Sequence, residues 1–192
     1  MLAQLIRKTS GPKRSRKGRC TAIFSDVDGV ILPDFRGGTP SNPEAWGSVE
    51  IGWQETSYYR HSVLYALRDH PADHKLWLSS WQEGASEVFD DKVGQWTVLA
   101  PDEQQREWWH PGITDWWKAN LLLEWVAKNP EVTHVVWCED ELHSEDRVDA
   151  ARIVYNELRR AGIRVMAICP RPDLGLSDDH IDIIGTFAKG GI

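Results

Sequence analysis

Five short apolar runs, several rich in β-branched residues, alternate along the chain with longer stretches of helical periodicity, and this alternation constrains the fold most. The runs lie at residues 21 to 25, 75 to 79, 96 to 99, 132 to 138 and 163 to 169. Continuous apolar character over so few residues is the mark of strands buried on both faces. Helices are predicted at 57 to 69, 83 to 91, 115 to 128, 145 to 161 and 177 to 188. In the first, Tyr58, His61, Val63, Leu64 and Leu67 fall near one stripe and Pro71 follows its end. Thr114 and Ser144 are candidate N-caps for the third and fourth, and Gly162 is a stop signal. Strands linked through helices make right-handed crossovers and pair in parallel. The expected fold is therefore α/β, a three-layer sandwich around a central parallel sheet.

At 192 residues the chain suits one good-sized core. Residues 30 to 56, rich in Gly, Pro and Trp, form the longest irregular stretch and read as a flap over a site. Seven of the 22 Lys and Arg residues precede Cys20 and no acidic residue does, leaving 15 basic residues against 29 acidic ones beyond it, a net of −14. Residues 1 to 20 are thus expected to be a basic, flexible tail on an acidic body at 21 to 192. Such a tail is either a solvated arm or a contact for nucleic acid or another acidic surface. No apolar run approaches the roughly 20 residues of a membrane span, so no membrane partner is expected. The tail has too little apolar stretch for a secretory signal, which makes a cytoplasmic location the expectation. Cys20, Cys138 and Cys169 show neither a disulfide framework nor zinc-ligand spacing.

The first apolar run ends in Asp26-Val27-Asp28-Gly29. Asp-Gly is a common turn, and on that reading Ile23 and Phe24 would pair with Val30 and Ile31 in a hairpin. The other reading is a site. Residues two apart in a strand share a face, so two carboxylates at a strand's carboxyl end converge on the crevice above a parallel sheet. The alternation of strands and helices favours the second reading. Other strand ends carry matching groups: Ser79-Ser80 after the second run and Glu139-Asp140-Glu141 after the fourth, with Lys118 early in the helix between them. Singly, each has a plainer explanation, respectively a helix cap, an acidic loop and a solvated lysine.

Acid pair, hydroxyl, lysine and second acid pair, in that order on alternating strands and helices, resemble the four motifs of the haloacid dehalogenase superfamily of phosphohydrolases. The likeness is closer to its small bacterial and phage members, in the tryptophan-flanked Trp77-Leu78-Ser79-Ser80-Trp81, in Trp117-Lys118-Ala119, in Trp137-Cys138-Glu139-Asp140-Glu141 and in a late Gly-Leu-Ser-x-x-His element from Gly175 to His180. It covers about residues 21 to 188. The resemblance implies a Rossmann-like sheet without a large cap domain, since the stretches from Asp28 to Ser79 and from Lys118 to Asp140 hold no room for one.

It implies further that Asp26 is a nucleophile forming an aspartyl-phosphate, and that Asp28 is the general acid and then the base. Neighbouring carboxyls cannot both ionise easily, which helps keep one protonated. Lys118 would offset phosphate charge and Ser79 would donate to a phosphate oxygen. Mg²⁺ would be held by Asp26, the Asp28 carbonyl, Glu139 and Asp140, a hard-ion set of oxygens. Glu139 stands where the first of two aspartates is usual; its longer arm could reach the metal through water or yield to Asp140. Lys92 lies far from any strand end. The implied activity is a Mg²⁺-dependent phosphatase acting on a phosphorylated small molecule, a nucleotide or a nucleic-acid end. A dehalogenase is disfavoured because that branch lacks the second aspartate. The alternative is a phosphate- or metal-binding module without turnover, similar to a receiver domain.

Of the 11 tryptophans, Trp77, Trp81, Trp116, Trp117 and Trp137 are expected in the core, with Trp81 and Trp53 the candidates for stacking on an aromatic leaving group. His70 and His74 are four apart, but Pro71 between them breaks the helix a zinc pair needs. The chain contains no Gly-x-Ser-x-Gly, P-loop or dinucleotide fingerprint.

Overall fold

The computed structural model describes residues 18 to 35, 40 to 51, 55 to 101 and 113 to 190. Five parallel strands form the sheet: β1 (Thr21–Ser25), β4 (His74–Trp77), β5 (Thr97–Val98), β6 (His134–Cys138) and β7 (Arg164–Ile168), in the order β5-β4-β1-β6-β7. Two antiparallel strands, β2 (Trp46–Ile51) and β3 (Glu55–Arg60), form a separate ribbon. The helices are α1 (His61–Asp69), α2 (Glu83–Val93), α3 (Trp117–Lys128), α4 (Val148–Arg160) and α5 (Asp178–Lys189).

Successive strand residues feed opposite faces, as the pleat requires. Ile23 packs with Val63, Leu67, Phe89 and Ile184 of α1, α2 and α5, while its neighbours Ala22 and Phe24 pack with Leu122, Val126 and Val154 of α3 and α4. The sheet is therefore covered on both sides, a Rossmann-like sandwich of the expected class. Among the described residues no helix is long and apolar enough to cross a membrane.

The chain starts at the middle strand, builds outward through β4 to β5, then crosses back to β6 and β7. The reversal falls between β1 and β6, the place where ligands bind in open α/β sheets. Asp26 N donates to the Cys138 carbonyl at 3.0 Å, so the ends of these two strands are tied together at the reversal.

Several local expectations are corrected. β1 pairs only with parallel neighbours, which removes the hairpin reading of Asp28-Gly29. Instead the Val27 carbonyl accepts from the amides of Val30, Ile31 and Leu32, a compact turn directly above the strand. The stretch 57 to 60 is not helical but the second half of the β2–β3 hairpin, with Tyr59 buried against Phe89 at 6.1 Å between ring centroids. A structured ribbon thus occupies part of the expected flap and extends past its end at residue 56. Thr114 does not cap α3; its hydroxyl accepts from Trp116 N at 3.2 Å and shapes the entry, and the helix begins at Trp117. Ser144 does not cap α4 either, since residues 140 to 143 form a short 3-10 turn and the helix starts at Val148. Ser177 does cap α5, in a reciprocal pair with His180.

Residues 1 to 17 of the basic tail lie outside the described residues. Its last members belong to the body: Arg19 donates to the Ala188 carbonyl at 2.7 Å, and the Cys20 carbonyl accepts from His134 N at 3.0 Å. Trp53 also lies outside the described residues.

Candidate active site

Asp26 springs from the end of β1 and is 5% exposed. One carboxylate oxygen, Oδ1, accepts from Val27 N at 2.7 Å; the other, Oδ2, takes an ion pair from the Lys118 ammonium. Lys118 sits on the first turn of α3 facing inward, and it also donates to Glu139 Oε2 at 2.8 Å. Three residues from three separate elements thus meet in one buried cluster. Asp140 joins them, for ligand oxygens of Asp26, Glu139 and Asp140 all lie within 4.8 Å of one another.

The electrostatics follow from burial. Three carboxyls face one lysine, and for the buried Asp26 and Glu139 little water is at hand to make up the difference. Desolvation, with Asp26 adding to it and Lys118 opposing, pushes the fully buried Glu139 up to about 9. Desolvation and Asp26 raise Asp140 as well. Burial pulls the Lys118 ammonium toward neutrality, but Asp26 and Glu139 together outweigh it and its pKa is raised. A buried carboxylate oxygen, Glu139 Oε1, has no hydrogen-bond partner among the described residues. An orphaned oxygen within a converging acidic set is what a hard cation would satisfy, so the donor chemistry fits Mg²⁺.

Gly29 explains how Asp140 reaches this point. It has φ of 65°, and a Cβ there would overlap the Asp140 carboxylate. The glycine predicted as a turn residue is also the cradle for the second acid pair.

Asp28 stands apart from the buried cluster at the mouth. Its Oδ2 accepts from the Trp81 indole at 2.8 Å, and burial raises its pKa, opposed by that bond. Trp81 is half-buried: its ring packs against the core beside Phe89, as expected, while its indole N–H bonds a carboxylate; Trp117 is likewise half-buried against the core, and Trp77, Trp116 and Trp137 lie within it. Ser79 lies at the end of β4, 1% exposed, and its hydroxyl accepts from Trp81 N at 3.3 Å. The serine therefore shapes the turn that presents Trp81; among the described residues no hydrogen bond links it to the acidic cluster. Ser80 is exposed. Lys92 bonds the Val88 carbonyl and Asp91, away from the cluster. Of the cysteines, Cys138 is fully buried and Cys169 donates to the Asp140 carbonyl at 3.2 Å, helping to fix that loop.

The late Gly175 to His180 element supports the site from behind. Leu176 N donates to the Val30 carbonyl at 2.8 Å, and a Cβ on Gly175 would press on that same carbonyl, so the loop after β7 braces the turn after β1.

Above Asp28, Gly29 and Asp140 opens a cleft of about 620 Å³, walled by the turn after β1 and by the hairpin through Thr56, Ser57 and Tyr58. Phe35 and Tyr58, which line it, carried no functional signal in the sequence; only their place in the Trp- and Gly-rich stretch hinted at it. Comparison with protein-family models, curated proteins and solved structures returns no match.

The arrangement offers a buried carboxylate oriented by a backbone amide and a lysine, a second carboxyl at the mouth with a raised pKa, and a carboxylate set able to hold a divalent cation. Together they can attack an electrophile, exchange a proton and neutralise developing negative charge.

Proposed function

We propose that the chain is a Mg²⁺-dependent phosphohydrolase of the haloacid dehalogenase type, acting through an aspartyl-phosphate on a phosphomonoester. The observation that carries the reading is the meeting of Asp26, Lys118, Glu139 and Asp140 at the reversal point between β1 and β6, beneath a cleft that Asp28 overlooks.

Asp26 attacks phosphorus, forming a bond from its carboxylate oxygen as the bond to the leaving oxygen breaks. Asp28, with its raised pKa, gives its proton to that leaving oxygen and so releases an alcohol. The resulting Asp28 carboxylate then takes a proton from water, which attacks the phosphorus, breaks the acyl-phosphate bond and restores Asp26 with release of inorganic phosphate. Trp81 holds Asp28 at the mouth by its indole N–H, where it can face both the alcohol and the water. Lys118 keeps Asp26 oriented and offsets its charge. Held by Asp26, the Asp28 carbonyl, Glu139 and Asp140, Mg²⁺ would supply the charge neutralisation that phosphoryl transfer demands.

A screen of phosphate esters with Mg²⁺ tests this, using Asp26→Asn as the control. Turnover by the native chain and a loss of roughly a thousandfold or more in the variant are expected. Full turnover by Asp26→Asn would sink the mechanism. The second reading, a binding module, draws on the Glu139–Lys118 ion pair, which occupies the lysine that a phosphate would need. Mg²⁺ binding without hydrolysis of any ester would favour it.

A further inference from the structure

We infer that the ester accepted here carries a planar aromatic group, as a nucleoside monophosphate does; this rests on the phosphohydrolase reading. The cleft above the acidic cluster is far larger than a phosphoryl group needs, and its volume of about 620 Å³ lies within the range of small-molecule sites. Two aromatic side chains line it, Phe35 from the stretch after β1 and Tyr58 from β3. Their ring centroids are 6.1 Å apart at 77°, so the two rings meet as a corner rather than a flat stack.

That corner is held from behind. Trp46 packs edge-on against Phe35 at 5.0 Å, and the Arg60 guanidinium lies 4.4 Å over Trp46. A braced ring loses little freedom when a ligand stacks on it, which favours stacking as a source of affinity. Neither Phe35 nor Tyr58 is fully buried, so the pair is not simply core.

The polar part of the described lining is acidic and hydroxylic. Among the described residues the ionisable acids and bases lining the cleft are Asp28, Asp34 and Asp140, all acidic. Thr56 and Ser57, on the same ribbon as Tyr58, bring hydroxyls suited to a sugar. One cleft thus holds hydroxyls that a sugar could bond and rings on which a base could stack.

The test compares kcat/KM for adenosine 5′-monophosphate and ribose 5-phosphate, which share phosphate and sugar and differ in the base. Aromatic stacking on a base is worth about 1–3 kcal/mol, so the nucleotide should be favoured roughly tenfold or more. In Phe35→Leu and Tyr58→Leu that ratio should fall toward one. A ratio near one in the native chain overturns the inference and leaves the phosphatase standing. Hydrolysis of neither compound, nor of p-nitrophenyl phosphate, overturns both. A ratio unchanged in correctly folded variants removes the aromatic corner from the explanation. Should a variant not fold, competition by adenosine and by ribose against p-nitrophenyl phosphate decides, because only an aromatic-selective cleft makes adenosine the stronger inhibitor by a similar factor.

Discussion

At the floor of the site Asp26, Lys118 and Glu139 are buried on elements of the parallel sheet and its flanking helices, and of the acidic cluster only Asp140 lines the cleft. At its wall, Thr56, Ser57 and Tyr58 ride on a two-stranded ribbon whose described side chains are mostly half-buried or exposed, with Tyr59 as its buried anchor. A two-stranded ribbon is marginal by itself, whereas strands packed on both faces are among the most stable parts of a domain. The contrast separates two tasks. The acidic groups and their lysine sit where little water reaches them and the strand before Asp26 is paired on both sides. On the reading proposed above, the groups that would choose among ligands sit where a change costs the fold little.

Several experiments would break this contrast or sharpen it. The largest effect is expected from Lys118→Met, which leaves the buried Asp26 carboxylate and the Glu139 carboxyl without their shared cation. A loss of about 3–5 kcal/mol in urea unfolding is the expected scale, and a loss below about 1 kcal/mol would mean the floor is not held by this ion cluster. Gly29→Ala should come next. It forces a Cβ into a left-handed conformation, costing about 1–2 kcal/mol, and displaces the Asp140 carboxylate. Mg²⁺ affinity by calorimetry should fall roughly tenfold or more, the equivalent of about 1.4 kcal/mol.

A third measurement concerns pH. Glu139 titrates near 4.5 when exposed and is pushed up to about 9 by the fold, so between these values the folded chain holds a proton that the unfolded chain has released. Its contribution to stability is complete below pH 4.5 and is lost as pH rises through about 9. Asp28 and Asp140 are shifted in the same direction. Without metal, the melting temperature should therefore fall from pH 6 to 9, and saturating Mg²⁺ should flatten the slope by binding the ionised carboxylates. A melting temperature that climbs over this range without metal contradicts the assignment of a protonated floor. The smallest effect on the fold is expected in the wall. In Gly47→Ala a Cβ would overlap the Tyr59 ring and shift the ribbon, yet stability should change by only about 1 kcal/mol while KM rises more than kcat falls. An equal drop in kcat would tie the hairpin to the chemistry itself.

The floor was largely legible before any coordinates. Asp26, Lys118, Glu139 and Asp140 stand at strand ends or helix starts, and their elements carry strong local signals: continuous apolar runs for β1 and β6, and for α3 a long apolar helical stretch that stops at Asn129-Pro130. The wall was not. Tyr58 lies at helical spacing from the apolar residues of α1, so the strand 55 to 60 merged with the helix that follows; its true partner is Trp46–Ile51, and pairing of that kind leaves no mark within either segment alone. Trp81 is the same lesson at one residue. Abundance made core packing the plain expectation, while its bond to Asp28 depends on a turn 53 positions away in sequence.

Short-range features of the chain, its periodicities, its Gly and Pro punctuation and the order of its acidic pairs, settle the α/β class and the strand ends that bear the acidic groups. These follow from backbone propensity and burial, which act over a few neighbouring residues. Tertiary structure alone decides that β1 and β6 are neighbours at the reversal of the sheet, that Glu139 is driven toward its protonated form instead of lying in a solvated loop, and that Phe35 and Tyr58 meet above it. Strand adjacency, desolvation and ring contacts arise only when distant segments are brought together, because each is a property of two surfaces and the water expelled between them.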